Sequence, residues 1–234
     1  MSTSPQLIIF DLDGTLIETG PEICHAVNDT LSQFDYIKVS QDQVNGWIGY
    51  GTLELLIQAL TFATKTSAEE IRQSDRLALI KKQFDRNYQH HCGTSSLLYP
   101  HVREVLTELK MQGVKIAIVT NKEMRYTNTV LNAHHLTDLF EIVIGGDSLS
   151  TKKPDPAGVN QCMSFFDVDP RHALFIGDSS IDAATARNAG VPVWLLTYGY
   201  NMNQPVDVCK PDRIIDDLSP LLEYMAHSQL DSVL

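Results

Sequence analysis

Polar residues suited to phosphoryl chemistry occur in four short stretches of this 234-residue sequence. Asp11 and Asp13 lie in DLDGT, Thr120 lies in VTN, Lys153 lies in KKPDP, and Asp178 lies in GDSS. A carboxylate can attack phosphorus and form an acyl phosphate. A second carboxylate, two residues later, can protonate the leaving alkoxide and then take a proton from the attacking water. These residue types at this spacing point to transfer of a phosphoryl group.

Carboxylates gathered at one site need a compensating cation. Two of them 4 Å apart repel by about 4 kcal/mol in an effective dielectric near 20. Mg2+ prefers oxygen ligands and a phosphate partner, so it would relieve this repulsion and offset charge on the phosphoryl oxygens. Lys153 adds positive charge, the Thr120 hydroxyl can hold a phosphoryl oxygen, and Gly14 permits close approach of the backbone. We therefore predict Mg2+ as the cofactor.

Alternating strands and helices are predicted to bring these stretches together. Near-continuous apolar runs, which are typical of buried parallel strands, occur at 7–10, 114–120, 141–146, 173–178 and 191–196, and DRIID at 212–216 is a candidate for a last short strand. Helix-length segments separate most of them, and Gly113 is placed to end one helix. The pattern predicts an α/β fold with a doubly wound, mostly parallel sheet. The stretches with Asp11, Thr120 and Asp178 directly follow strands, where ligands bind in such folds, and Lys153 lies in a loop just before the next helix.

A helical cap is predicted to be inserted after the first strand. Apolar side chains share one helical face over 23–34, and Leu53, Leu56, Ile57 and Leu60 form a second apolar stripe. We expect no strand in this part of the chain. Accordingly, residues 1–16 and 95–234 are predicted to form the α/β core and residues 17–94 the cap.

A third cap helix is predicted from its first residue. Ser67 and Glu70 have the spacing of a capping box, in which each side chain bonds to the backbone of the other residue. We expect a long helix to follow.

The composition excludes several classes of partner. The formal net charge is −11, so nucleic acid and anionic membranes are repelled at long range, and a phosphate site must be made positive locally. No basic leader and no run of about 18 apolar residues occurs. The cysteines form no CxxC pair, which favours free thiols in a cytoplasmic protein; they are Cys24, Cys92, Cys162 and Cys209.

As a set, the four stretches resemble the motifs of the haloacid dehalogenase-like superfamily. The matching segments are DLDGTL, VTN, KKPDP and GDSSIDAATARNAG. The resemblance implies that Asp11 is the nucleophile and Asp13 the acid and base. It implies Mg2+ bound by Asp11, the Asp13 backbone carbonyl and Asp178. Asp182 would lie next to these ligands without binding the ion itself. The dehalogenases lack the second aspartate, so Asp13 favours phosphate chemistry.

A narrower resemblance, to bacterial phosphoglycolate phosphatases, involves further segments. TNK at 120–122, IGGDSL at 144–149, KKPDP, TYGYN at 197–201 and the cap segment WIGYG at 47–51 all look like that family. The resemblance implies hydrolysis of 2-phosphoglycolate to glycolate and phosphate.

Core and cap are expected to bind different parts of the substrate. Thr120, Asn121 and Lys153 would bind the phosphate, which every phosphate ester shares. Discrimination would then come from the cap loop, where Gly49 and Gly51 permit close backbone approach. The N-terminus of the helix that follows would suit the substrate's carboxylate.

Three functional hypotheses follow from the sequence. The first is a phosphoglycolate phosphatase. The second is another capped phosphatase or a phosphomutase of the same superfamily, acting on a small sugar phosphate. The third is a binding protein that kept the fold without catalysis, in which Asp178 and Asp182 would simply cap a helix. The complete set of motif residues argues against the third. We expect a small phosphorylated metabolite as the partner and a monomer or homodimer.

Overall fold

Six of the strands form one parallel sheet in the computed structural model, which describes residues 4–231. The strands, in chain order, are β1 (Leu7–Phe10), β2 (Ile17–Glu18), β3 (Leu97–Leu98), β4 (Lys115–Val119), β5 (Ile142–Ile144), β6 (Ala173–Gly177), β7 (Val193–Leu196) and β8 (Arg213–Ile215). The order in the main sheet is β5-β4-β1-β6-β7-β8, with every pair parallel. The predicted fold class and the strands predicted for this sheet, including the candidate last one, are confirmed.

The cap region contains five helices, α1 (Gly20–Gln33), α2 (Gln41–Asn45), α3 (Thr52–Thr64), α4 (Ala68–Gln73) and α5 (Leu77–His91). The capping box of Ser67 and Glu70 is present at the start of α4. The prediction of one long helix after it is wrong, because the chain turns between α4 and α5. Ser74 adopts an extended conformation and its hydroxyl accepts a hydrogen bond from Arg76 N–H, which offers the backbone an alternative to the helix.

Two further expectations for this region are corrected. β2 and β3 pair antiparallel where the chain enters and leaves the helical insertion, so strands do occur there. Each has two residues, too few to show an alternating pattern. Leu53 is 38% exposed, whereas Leu56, Ile57 and Leu60 are buried, so the apolar face of α3 is rotated from the one predicted.

Helices cover both faces of the main sheet. They are α6 (Val102–Met111), α7 (Met124–Ala133), α8 (Ala157–Phe166), α9 (Ser180–Ala189) and α10 (Pro220–Asp231). Alternate side chains of β1 enter two apolar clusters. Ile8 and Phe10 join a cluster that continues into α1, α3 and α5 of the cap, whereas Leu7 and Ile9 pack with α8 and α9. The cap therefore shares its apolar core with one face of the sheet.

The register of the central strands aligns the ends from which the polar stretches start. Phe10 of β1 lies opposite Ile118 of β4 and Ile176 of β6. The residues that follow these strands, Asp11 and Thr120 among them, therefore meet at one edge of the sheet.

Gly113, with φ +78°, follows α6 as predicted. All four cysteines are buried free thiols, as expected. Within residues 4–231, no helix combines the length and the hydrophobicity needed to cross a membrane.

Candidate active site

The loop after β1 holds Asp11 and Asp13 in fixed positions. Asp11 N–H donates to the Ile176 carbonyl at 2.9 Å, which extends the strand pairing by one residue. Gly14 N–H donates to the Ile17 carbonyl at 2.9 Å and closes a tight turn. Gly14 has φ +86°, and a Cβ there would collide with the Asp178 carboxylate. A glycine is therefore required both by the turn and by the neighbouring carboxylate.

Asp11 is a buried carboxylate next to a buried ammonium group. Lys153 Nζ lies 2.8 Å from Asp11 Oδ1 and 2.7 Å from Asp182 Oδ1. The Asp11 oxygen accepts no hydrogen bond of good geometry, so this ion pair is its polar contact. Burial raises the pKa of Asp11 to about 6, with Lys153 opposing the rise and Asp182 adding to it. For Lys153, burial by itself would lower the pKa, but the Asp11 and Asp182 carboxylates raise it above its ordinary value.

Asp178, which follows β6, is also buried, and it accepts two hydrogen bonds. Thr15 Oγ1 donates to its Oδ1 at 2.6 Å, and Tyr200 N–H donates to its Oδ2 at 2.6 Å. Burial, followed by repulsion from Asp182 and Asp11, raises the pKa of Asp178 well above its ordinary value. The site thus holds carboxylates whose charges are poorly compensated.

Asp182 has two structural tasks. Its Oδ1 accepts a hydrogen bond from Lys153, while its Oδ2 accepts from the N–H groups of Asp178 and Ser179 and from the Ser179 hydroxyl. Ser179 is the N-cap of α9, and the two side chains form a capping box. Asp182 therefore caps a helix, as one alternative reading of the sequence holds, but it also positions the lysine beside Asp11.

The buried carboxylates form a group that could hold a metal ion. One carboxylate oxygen each from Asp11, Asp178 and Asp182 lies within 4.8 Å of the others. Both oxygens of Asp182 already accept hydrogen bonds, whereas Asp11 Oδ1 accepts none. Hard divalent cations bind carboxylate and carbonyl oxygens. Three buried carboxylates with one buried lysine beside them form a donor set that fits such a cation.

Asp13 is held by a residue to which the sequence pattern assigned no role. Lys122 Nζ lies 2.9 and 3.2 Å from the two carboxylate oxygens of Asp13, and Thr19 Oγ1 donates to Asp13 Oδ1 at 2.7 Å. Lys122 Nζ also contacts the hydroxyl of Tyr88, on cap helix α5. Burial would lower the pKa of Lys122, but Asp13 raises it overall. The sequence signal that could have identified Lys122 as a site residue is its position in TNK, directly after Thr120 and Asn121.

Asn121 links the cap loop to the loop that carries Lys153. Its Nδ2 donates to the Gly49 carbonyl at 2.9 Å and to the Lys153 carbonyl at 3.1 Å. The neighbouring Thr120 hydroxyl, also buried, accepts a hydrogen bond from Lys122 N–H at 3.3 Å. One amide side chain thus fixes two loops relative to each other.

The predicted cap loop does reach the motif residues. Gly49 and Gly51, with φ +138° and +90°, line the same cavity as Asp11 and Asp13. Lys152 Nζ donates to the Tyr50 carbonyl at 2.6 Å, and the hydroxyl of Thr52, the first residue of α3, donates to Glu123. Thr120, Asn121 and Asp178 complete this part of the lining, whereas Lys153 lies behind Asp11 and outside it.

Comparison with known proteins shows the family to which this chain is related. The sequence model of the haloacid dehalogenase-like hydrolase family matches residues 8–196. A protein of Haemophilus influenzae strain 86-028NP named phosphoglycolate phosphatase is 38% identical over 96% of this chain and 100% of its own length. A protein of Pasteurella multocida strain Pm70 with the same name is 37% identical over 95% of this chain and 99% of its own length.

A solved structure gives the same relationship in three dimensions. The crystal structure of a predicted phosphoglycolate phosphatase from Haemophilus somnus 129pt superposes with a TM-score of 0.88 at 36% identity. The match covers 95% of this chain and 99% of that one. The family model, the full-length relatives and the fold therefore agree, and the chain belongs to the haloacid dehalogenase-like hydrolases.

Proposed function

We propose that the chain is a Mg2+-dependent phosphomonoesterase that hydrolyses 2-phosphoglycolate to glycolate and phosphate through an aspartyl-phosphate on Asp11. The observation that carries the proposal is the Asp11 carboxylate, which lines the cavity, is paired with Lys153 and lies close to the carboxylates of Asp178 and Asp182. Asp13 lines the same cavity two residues later. The names of full-length relatives support the choice of substrate.

The chemistry divides between the two aspartates of the β1 loop. An Asp11 oxygen attacks phosphorus, the bond to the ester oxygen breaks, and Asp13 gives its proton to the departing alkoxide. Water then attacks the phosphorus of the acyl phosphate, Asp13 takes a proton back, and Asp11 leaves as a carboxylate. The net change is one ester and one water converted to one alcohol and one phosphate.

A magnesium ion would be held by Asp11, the backbone carbonyl of Asp13 and Asp178. When bound, it supplies positive charge to the phosphoryl oxygens and to the carboxylates. Lys153, oriented by Asp182, neutralises charge on the side of Asp11 that faces away from the cavity lining. Thr120 and Asn121 would bind phosphoryl oxygens, and the buried Asn121 Oδ1, which has no hydrogen-bond partner, is free to accept from a protonated ligand.

The cap, which we propose spans 17–94, would select the substrate. Gly49 and Gly51 bring backbone to the cavity, and the first N–H groups of α3 have no side-chain cap. A helix N-terminus of this kind favours an anionic group. Closure over the site would exclude bulk water until the leaving group departs. We infer a small phosphorylated metabolite as partner, a cytoplasmic location and a monomer or homodimer.

A substrate panel tests the proposal. With Mg2+ present, kcat/KM is measured for 2-phosphoglycolate and for small sugar phosphates, with the Asp11→Asn variant as the control for contaminating phosphatase. We expect 2-phosphoglycolate to be preferred and inorganic phosphate to be released in equal amount to glycolate. Preference for a sugar phosphate would favour another capped phosphatase. Conversion of a sugar phosphate to its isomer without release of phosphate would favour a phosphomutase.

A further inference from the structure

Lys122 is a buried cation at the cavity whose contacts place it beside the leaving-group end of the substrate. Among the described residues that line this cavity, it is the one lysine or arginine. Its ammonium group contacts both oxygens of Asp13 and the hydroxyl of Tyr88. An ammonium group has three N–H donors. One donor shared by the two Asp13 oxygens, as in a three-centre hydrogen bond, and one directed at Tyr88 leave a third for a ligand.

The geometry of the ester sets where a second anionic group must lie. Asp13, as the proton donor, must come within about 2.6–3.2 Å of the leaving oxygen. In 2-phosphoglycolate a single CH2 group separates that oxygen from the carboxylate. The carboxylate is therefore confined to the immediate surroundings of Asp13, and Lys122 Nζ is already 2.9 Å from Asp13 Oδ1. Lys153 is on the other side, paired with Asp11 and Asp182.

The apolar part of the nearby lining offers the carboxylate no partner. Ile23, Ile48 and Leu55 are apolar side chains of the cap region that face the same cavity. A carboxylate placed among them without a partner would be strongly disfavoured, since a buried charge needs a paired or hydrogen-bonded partner. Besides the N–H groups at the start of α3, Lys122 and the Tyr88 hydroxyl can supply such partners, and of these groups Lys122 is the one that carries a positive charge.

We propose that Lys122, assisted by Tyr88, binds the carboxylate of the leaving group and thereby selects phosphate esters of short 2-hydroxy acids. The inference rests on the proposed function and names the residue responsible for its selectivity. Because Tyr88 belongs to cap helix α5 and Lys122 to the loop after β4, the substrate would be recognised at a contact between cap and core. An ester of the same length without the charge would not gain this interaction.

The test compares three esters that separate three roles. These are 2-phosphoglycolate, 2-hydroxyethyl phosphate, in which a hydroxymethyl group replaces the carboxylate, and 4-nitrophenyl phosphate, whose leaving group needs no proton. The variant is Lys122→Met, which keeps length and removes charge. The measured quantity is the selectivity ratio, kcat/KM for 2-phosphoglycolate divided by kcat/KM for 2-hydroxyethyl phosphate. We expect it to fall about 100-fold, mainly through KM, as for loss of a charged hydrogen bond.

Two further variants keep the test decisive. Tyr88→Phe preserves packing and is expected to lower the ratio severalfold, which covers the case in which Lys122→Met fails to fold. Lys82→Met makes the same chemical change at an exposed lysine of α5, outside the cavity lining, and its ratio should stay within about twofold of wild type, since exposed charges contribute little.

Distinct results would overturn the inference or the proposed function. In one such result, Lys122→Met and Tyr88→Phe lower kcat/KM equally for 2-phosphoglycolate and 2-hydroxyethyl phosphate but leave kcat/KM for 4-nitrophenyl phosphate unchanged. Lys122 would then serve to position Asp13, and the inference would be wrong. An equal fall in kcat/KM for all three esters would show that Lys122 has a purely structural role, and this result would also contradict the inference. A wild-type enzyme with no preference for 2-phosphoglycolate over 2-hydroxyethyl phosphate would instead remove the proposed function, and the inference with it.

Discussion

Replacing Asp11 with Asn should have opposite effects on activity and on stability. Burial raises the pKa of Asp11 from 3.8 to about 6 in the folded protein without metal. Folded protein therefore binds a proton at this site more readily than unfolded chain does, so the group's contribution to stability is present below pH 4 and lost as pH rises through about 6. At pH 8 the ionised carboxylate costs about 3 kcal/mol.

Asn keeps the shape of the side chain and removes that cost. Some of the gain is offset because Lys153 loses one partner, although it keeps Asp182 at 2.7 Å. We expect a net stabilisation of on the order of 1–3 kcal/mol, which raises Tm by roughly 2–4 °C per kcal/mol for a chain of this size. The gain should be seen in EDTA at pH 8 and shrink at pH 5, where wild-type Asp11 is largely protonated.

Turnover should fall by several orders of magnitude, because the attacking charge is gone. The assay is hydrolysis of an aryl phosphate with Mg2+, run beside thermal unfolding in EDTA at both pH values. Asp75→Asn, the same change at an exposed carboxylate, is the control and should alter neither quantity. Activity within about tenfold of wild type, a barrier change of only 1.4 kcal/mol, would refute Asp11 as nucleophile. A lower Tm at pH 8 would refute the account of its burial.

Three other outcomes are expected. Excess EDTA should abolish turnover, and added Mg2+ should restore it. Ca2+ should support little turnover because its bonds are longer and its coordination is looser. Full activity after chelation would exclude Asp178 as a ligand of the catalytic metal. Bulkier residues at Gly49 and Gly51 should reduce kcat/KM for 2-phosphoglycolate far more than for an aryl phosphate. A Cβ at Gly51, for example, would lie 3.1 Å from the Asn121 carbonyl. Equal losses for the two substrates would show that the loop has only a structural role. Asn121→Leu removes two hydrogen bonds of about 0.5–1.5 kcal/mol each, so kcat/KM should fall roughly 5- to 150-fold, and unchanged kinetics would contradict a linking role.

The sheet and the meeting of the motif residues could be predicted because local sequence determines both. Runs such as LIIF and ALFIG are buried along their whole length, which is what a strand covered on both faces requires. Once the strands are parallel and in register, the residues directly after them must share an edge. Asp11, Thr120 and Asp178 lie together for that reason.

The missed features depend on contacts rather than on local pattern. β2 and β3 have two residues each and are held by pairing with each other across the whole insertion. The break after α4 follows from hydrogen bonds of Ser74, a residue that is also compatible with a helix interior. Leu53 shares the helical period of α3 with its neighbours, and only the position of the core decides which side of the helix is buried.

Lys122 was missed for a related reason. A lysine after a strand is usually a solvated charge, and nothing local in TNK indicates burial. Its partners Asp13 and Tyr88 lie 109 and 34 residues away in the chain. Its role therefore became visible only when cap and core were assembled around one cavity.

The charge of the site explains how so acidic a chain can bind an anion. Asp11, Asp178 and Asp182 bring three carboxylates together, and Lys153 compensates one of them. Two negative charges remain in excess, which a divalent cation neutralises and a monovalent one does not. Asp13 is balanced separately by Lys122. In the proposed complex the phosphate group would meet a neutralised metal site with Lys153 behind it, and the carboxylate of the same substrate would meet Lys122. Two buried cations would thus distinguish the two anionic groups of the ligand.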